Sequence, residues 1–222
     1  MKAILPLLYL TWVIFSGQSI INENEMGIRQ EKNIIGLVIE NDVQGVEKML
    51  KNGINVNMGD NGKRSLLLIA TNKGYYEMAK LLVKYGADVN QQAENLDNPF
   101  LYAGASGQTG LVQLFLRNGA KFDIFNRYYG SALIPACERG YVETVRLLAN
   151  TKNYPINHVN RLGCTALMEA IVLGDGSEKY QQIVRLLKDA GAELDIPDHD
   201  GITPLQHAQK RGFTEIIELL KL

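Results

Sequence analysis

An alanine followed four residues later by a glycine recurs five times along this chain: Ala70/Gly74, Ala103/Gly107, Ala136/Gly140, Ala170/Gly174 and Ala208/Gly212. Successive alanines are 33, 33, 34 and 38 residues apart. A fixed period in this range restricts the chain to stacked supersecondary units, each burying its apolar side only against its neighbours. The functional question therefore becomes which face of the stack binds what.

A second set of residues keeps the same steps: Asn57, Asn90, Asp123, Asn157 and Asp195. Four residues before most of them stands a glycine, at Gly53, Gly86, Gly119 and Gly191, with Asn153 at that place in the fourth unit. Glycine after an apolar helix end is a left-handed C-cap, and asparagine is the next best residue for that conformation. Between these marks lie two short helical patterns per unit. The first runs through the alanine and ends at the glycine. The second carries an apolar face, as at Leu81-Leu82, Leu114-Phe115, Leu147-Leu148, Leu186-Leu187 and Leu219-Leu220. Helices this short are not stable alone, so they depend on burial against adjacent units.

These residues resemble the ankyrin-repeat family. The best match to its signature is Asp198-His199-Asp200-Gly201-Ile202-Thr203-Pro204-Leu205-Gln206-His207-Ala208, and Gly86-Ala87-Asp88-Val89-Asn90 matches the family's unit end. The signature histidine is replaced throughout, by Leu68, Leu101, Ile134, Met168 and Gln206, so apolar packing is expected in place of its hydrogen bonds. The resemblance covers roughly residues 34–222. It implies an all-α ankyrin-repeat solenoid of stacked helix-turn-helix units with projecting loops, about five to six repeats. The register divides the chain into a degenerate first unit at 34–57, units at 58–90, 91–123, 124–157 and 158–195, and a shortened C-terminal cap unit at 196–222. The 158–195 unit carries an insertion within 174–180, whose glycine, aspartate and serine mark a lengthened turn.

The N-terminus has a different character. Lys2 precedes an uncharged apolar run, Ala3 to Phe15, and Gly17 and Ser19 occupy the small-residue positions of a cut after Ser19. Residues 1–19 read as a secretory signal peptide, which places the protein in a periplasm or outside the cell, with 20–33 as a flexible lead. The alternative is an uncleaved N-terminal anchor, although a run of 13 residues is short against the ~20 that span a bilayer. After cleavage no membrane association is expected. The two cysteines, Cys137 and Cys164, read either as a disulfide or as one buried and one loop thiol.

Composition excludes several functions. The net charge is −1 with basic residues spread over all units, so no stripe for nucleic acid is present. His158, His199 and His207 have no metal-ligand spacing, and Gly59-Asp60-Asn61-Gly62-Lys63 lacks the spacing and hydroxyl of a phosphate loop. Glu215 and Glu218 read as a solvated helix face. The chain is thus read as non-catalytic, without cofactor or metal, and monomeric.

The resemblance implies a scaffold binding a protein partner, of unknown identity, through the concave face made by loops and inner helices. Carried over by register, the partner-binding positions are Arg64, Asn95, Asp97, Phe125, Arg127, Tyr128, Tyr129, Arg139, Arg161, Leu162 and His199. The loop Phe125-Asn126-Arg127-Tyr128-Tyr129 carries the side chains that dominate binding hot spots. Alternatively, Phe125 and Tyr129 pack between adjacent loops and only Arg127 and Tyr128 face out. The resemblance also admits a secreted effector that binds a host protein, or an accessory protein in oxidative-stress defence.

Overall fold

The computed structural model describes residues 33–221, so the signal segment 1–19 and residues 20–32 of the lead lie outside the described residues. Among the described residues there are twelve helices and no strand, only an isolated antiparallel bridge between Gly59 and Ser65. The chain divides into two units, Met1–Asn55 and Val56–Leu222.

In the first unit, helix α1 (33–39) turns into α2 (Val43–Lys51). Asn41 makes the turn with a left-handed φ of 60°. It stands four residues after Leu37, the place glycine holds elsewhere. Asp42 caps α2 by accepting from the Gly45 N–H at 2.9 Å, and Ile34, Val38, Val46 and Leu50 are buried. Lys48 and Lys51 lie at the helix's C-terminal end, where the macrodipole favours cations.

The second unit holds five helix pairs: α3 (Leu66–Asn72) with α4 (Tyr76–Lys84), α5 (Pro99–Ala105) with α6 (Thr109–Leu116), α7 (Leu133–Glu138) with α8 (Val142–Ala149), α9 (Ala166–Val172) with α10 (Glu178–Asp189), and α11 (Pro204–Arg211) with α12 (Thr214–Lys221). The odd-numbered helices pack in one row and the even-numbered ones in a second. Ala70, Ala103, Ala136, Ala170 and Ala208 have no exposed surface, so the small side chain sits where neighbouring first helices meet. The large side chains Phe100, Phe115, Leu82, Leu148 and Leu167 complete the core, each contributing about 1.5–3 kcal/mol by leaving water.

Side chains start most of the first helices. Ser65, Asn98, Thr165 and Thr203 accept from the N–H groups of Leu68, Leu101, Met168 and Gln206 at 2.7 to 3.3 Å. Each cap is worth ~1 kcal/mol. In the last pair the Gln206 side chain accepts in turn from the Thr203 N–H at 2.8 Å, closing a capping box. Helix α7 departs from this rule, since its cap residue Ala132 offers no side-chain acceptor. The buried Tyr154 hydroxyl accepts from the Leu133 N–H instead, at 3.2 Å.

The second periodic set fastens successive units together. Asn57 Oδ1 accepts from the Asp88 N–H at 2.7 Å and Asn90 Oδ1 from Lys121 at 2.8 Å, while their Nδ2 groups donate to the Gly86 and Gly119 carbonyls. Asn157 likewise accepts from Glu193 at 2.9 Å. Asparagine suits this position because one amide group both donates and accepts. Asn153 takes the left-handed conformation expected of it, with φ 61°.

The alanine–glycine pattern fails in the lengthened unit. Gly74, Gly107, Gly140 and Gly212 have φ between 68° and 75°, but there the left-handed residue is Gly176 (φ 74°), two positions beyond Gly174. Gly174 serves a different need, because a Cβ there would lie 2.6 Å from the Tyr180 ring and also strike the Ala170 carbonyl. The extra residues shift the turn while Tyr180 folds back to donate from its hydroxyl to the Glu138 carbonyl at 2.8 Å.

Candidate binding groove

A tight turn precedes each first helix of the second unit. Backbone bonds close the turns from Asp60 to Arg64, Ala93 to Asp97, Asn126 to Gly130, Asn160 to Cys164 and Asp198 to Ile202, at 2.8 to 3.1 Å. In four of them the first side chain also accepts from amides inside the turn. Neighbouring turns are tied tip to tip, Glu94 N–H to the Gly62 carbonyl and Arg161 N–H to the Tyr128 carbonyl. The fourth residue of each turn has positive φ, including Tyr129 at 58° and Leu96 at 64°.

Between these turns and the first helices lies a groove of about 550 Å³. The turns at 93–97, 126–130 and 160–164 supply Asp97, Arg127, Tyr128 and Leu162, while α5, α7 and α9 supply Leu101, Tyr102, Ile134, Pro135, Glu138 and Glu169. Arg139 and Leu173, at the ends of α7 and α9, complete the lining. Tyr128 is 52% exposed, Leu162 63% and Leu173 55%, a display of apolar area shared by two adjacent units.

Five of the positions carried over by register therefore meet in one place: Asp97, Arg127, Tyr128, Arg139 and Leu162. The Arg127 guanidinium lies over the Tyr128 ring at 4.8 Å. Arg139 donates to the Ala105 carbonyl. The other six do not line the groove. Phe125 stacks on the His158 ring, centroids 4.1 Å apart and planes within 2°, with Tyr129 tilted against both. His158 Nε2–H donates to the Tyr129 carbonyl at 2.7 Å, so this cluster joins adjacent loops, although Tyr129 keeps an exposed edge. Arg64 is paired with Asp60 in its own turn at 2.6 Å, and Asn95 donates to Asp97 at 2.8 Å. Arg161 reaches back to the Arg127 carbonyl at 3.0 Å. His199 sits against Gly163, where a Cβ would come within 2.6 Å of its ring.

Sequence reasoning passed over the groove floor. Glu169 is nearly buried and accepts from Asn160 Nδ2 at 2.8 Å. Burial raises its carboxyl above the usual glutamate value, the Asn160 bond opposes that, and the Glu138 charge adds to it. Burial likewise raises Asp97, against the pull of Arg127. The same nine-residue spacing pairs Asp198 with His207 at 2.6 Å in the last unit. The signal lay in the column before each alanine, which reads Ile69, Tyr102, Pro135, Glu169 and His207. A lone acid on that inner face marks a buried charge.

Cys137 and Cys164 are both free. Burial pushes the Cys137 thiol well up and Cys164 to about 11, so neither is activated. Among the described residues no three His, Cys, Asp or Glu side chains are grouped to hold a metal ion, and no helix is long and apolar enough to cross a membrane.

The family model for ankyrin repeats, in three copies, matches residues 11–93 and 100–198. The chain belongs to the ankyrin-repeat family. Among curated relatives of this ankyrin-repeat chain, the ankyrin repeat protein YahD of Escherichia coli (strain K12) is 36% identical over 182 residues, covering 82% of this chain and 90% of that protein. Among solved structures, an ankyrin repeat domain from Acinetobacter baumannii AYE superposes with a TM-score of 0.84 at 44% identity, covering 86% and 97% of the two chains. The ankyrin repeat protein EF0377 superposes with a TM-score of 0.82 at 36% identity, covering 85% and 96%. Ankyrin repeats act as protein–protein interaction scaffolds, and the family is generally non-enzymatic.

Proposed function

We propose that this ankyrin-repeat protein is an exported, monomeric, non-catalytic scaffold that holds a protein partner in the groove between the 93–97, 126–130 and 160–164 turns and helices α5, α7 and α9. The observation that carries this reading is the joint exposure of Tyr128, Leu162 and Leu173 around one 550 Å³ groove. Large apolar side chains open to water on two adjacent units cost solubility unless something covers them. Arginine beside aromatic and aliphatic groups is the composition of binding hot spots. Backbone ties between neighbouring turns hold the groove in shape before a partner arrives, which lowers the entropy lost on binding.

The export half of the proposal rests on Lys2, the apolar run Ala3–Phe15 and the small residues before Ile20. It is tested by mass spectrometry of the protein from fractionated cells, where an N-terminus at Ile20 in the exported fraction is expected and an intact Met1 in the membrane refutes it. The binding half is tested by capture from the same fraction with residues 20–222 and with a Tyr128→Ala/Leu162→Ala variant. A partner retained by the first and lost by the second is expected. Equal retention refutes the groove as the site.

A further inference from the structure

The groove combines exposed apolar walls with a floor where, among the described residues, Glu138 and Glu169 have no ion-pair partner. Its charged lining consists of Asp97, Glu138 and Glu169 against Arg127 and Arg139. Both arginines are engaged elsewhere: Arg127 lies over Tyr128 and acts on Asp97, and Arg139 donates to the Ala105 carbonyl. Glu169 is 5% exposed and accepts a single hydrogen bond of 2.8 Å at Oε1, from Asn160. Among the described residues its Oε2 is neither hydrogen-bonded nor sealed from the groove. Glu138 adds a like charge beside it. A nearly buried carboxylate next to a second carboxylate is unfavourable, and an opposite charge brought into hydrogen-bond range relieves it.

On this basis, and resting on the reading of the groove as a partner site, we infer that the partner inserts a basic side chain, an arginine, between Glu138 and Glu169. The aliphatic stem of that arginine lies along Leu101, Ile134 and Leu173, which line the same groove. Long cationic side chains favour such an arrangement, with an apolar stem on apolar walls and the charged head at a polar end. The planar guanidinium engages two carboxylates at once and stacks on a tyrosine face, here Tyr102, whereas an ammonium is a single point charge. The net negative lining opposes an acidic segment.

The test uses pools of short degenerate peptides with the central residue fixed as Arg, Lys, citrulline, Leu or Glu. The immobilised protein is wild type, Glu169→Gln, Glu138→Gln or Leu162→Ala. Glu169→Gln keeps an oxygen for Asn160, and the half-buried Glu138 is away from the core, so both variants are expected to match wild type by circular dichroism. The expected result is retention of the Arg pool above the citrulline pool by on the order of tenfold, the scale of a charge-assisted bond. That preference should fall in both carboxylate variants. If pools are retained, and weakened by Leu162→Ala, but Arg has no advantage over citrulline, the arginine inference fails while the groove stands. An Arg preference that survives both carboxylate variants also overturns the inference. If no pool is retained by any protein, the groove itself fails as a peptide site.

Discussion

Tyr154 is the residue whose removal best tests how the groove is held. Its hydroxyl accepts from the Leu133 N–H at 3.2 Å. Leu133 is buried, so water does not replace the lost partner without opening the structure. Tyr154→Phe keeps the ring and its contact with Phe122, centroids 4.9 Å apart, and deletes only the oxygen. A buried donor left without an acceptor costs about 1–3 kcal/mol. For a chain of this size each kcal/mol lowers the melting midpoint by about 2–4 °C, so a fall of about 4–8 °C is expected from a central value near 2 kcal/mol. Helix α7 supplies Ile134, Pro135 and Glu138 to the groove, so the loss should also appear locally. Thermal unfolding by circular dichroism gives the first number, and hydrogen exchange at the Leu133 amide gives the second. An unchanged midpoint together with undiminished Leu133 protection refutes the argument that a tyrosine hydroxyl caps α7.

Further expectations concern backbone, charge and surface. Gly107→Ala should destabilise by about 1–3 kcal/mol more than Gly119→Ala, measured by urea unfolding. Both residues have positive φ, but a Cβ at Gly107 meets the Tyr141 ring at 2.6 Å while Gly119 faces open space. The His207 bond holds the Asp198 carboxyl below its ordinary value of 3.8, so the stability it contributes is present above that value and is lost as pH falls through the lower folded one. An acid titration of stability should therefore show a shallower loss in Asp198→Asn than in wild type over that range. Glu169→Gln should raise the melting midpoint at neutral pH, because burial disfavours the charged form and the raised carboxyl makes wild type less stable as pH rises through its folded value. Tyr128→Ala and Leu162→Ala should leave the unfolding free energy within about 0.5 kcal/mol of wild type, measured by urea unfolding, since neither side chain is part of the core.

The helix pairs and their order were legible because they depend on residues close in sequence. Alanine, glycine and the Asn57-type set recur with the unit, and each acts within a turn or at the next junction. The column read as lost histidines also resolved as anticipated for Leu68, Leu101, Ile134 and Met168, which are buried. Where the unit is lengthened, the helix still ends just before Gly174 but the left-handed residue is Gly176, because the extra residues carry the turn further along the chain. The capping of α7 by Tyr154 was illegible. The hydroxyl acts 21 residues from the amide it satisfies.

The sequence alone determined that this chain is a stack of short helix pairs, because a fixed period leaves each pair no other surface to bury against. It also determined the register that picks out the loop tips. Only the tertiary structure decided which tips turn into the groove. Phe125 and Arg127 are two residues apart in one loop, yet Phe125 stacks on His158, just ahead of the next turn, and Arg127 faces the groove over Tyr128. That division depends on how adjacent turns pack. So does the position of Glu169, whose burial and unanswered charge exist only once α5, α7 and α9 lie side by side.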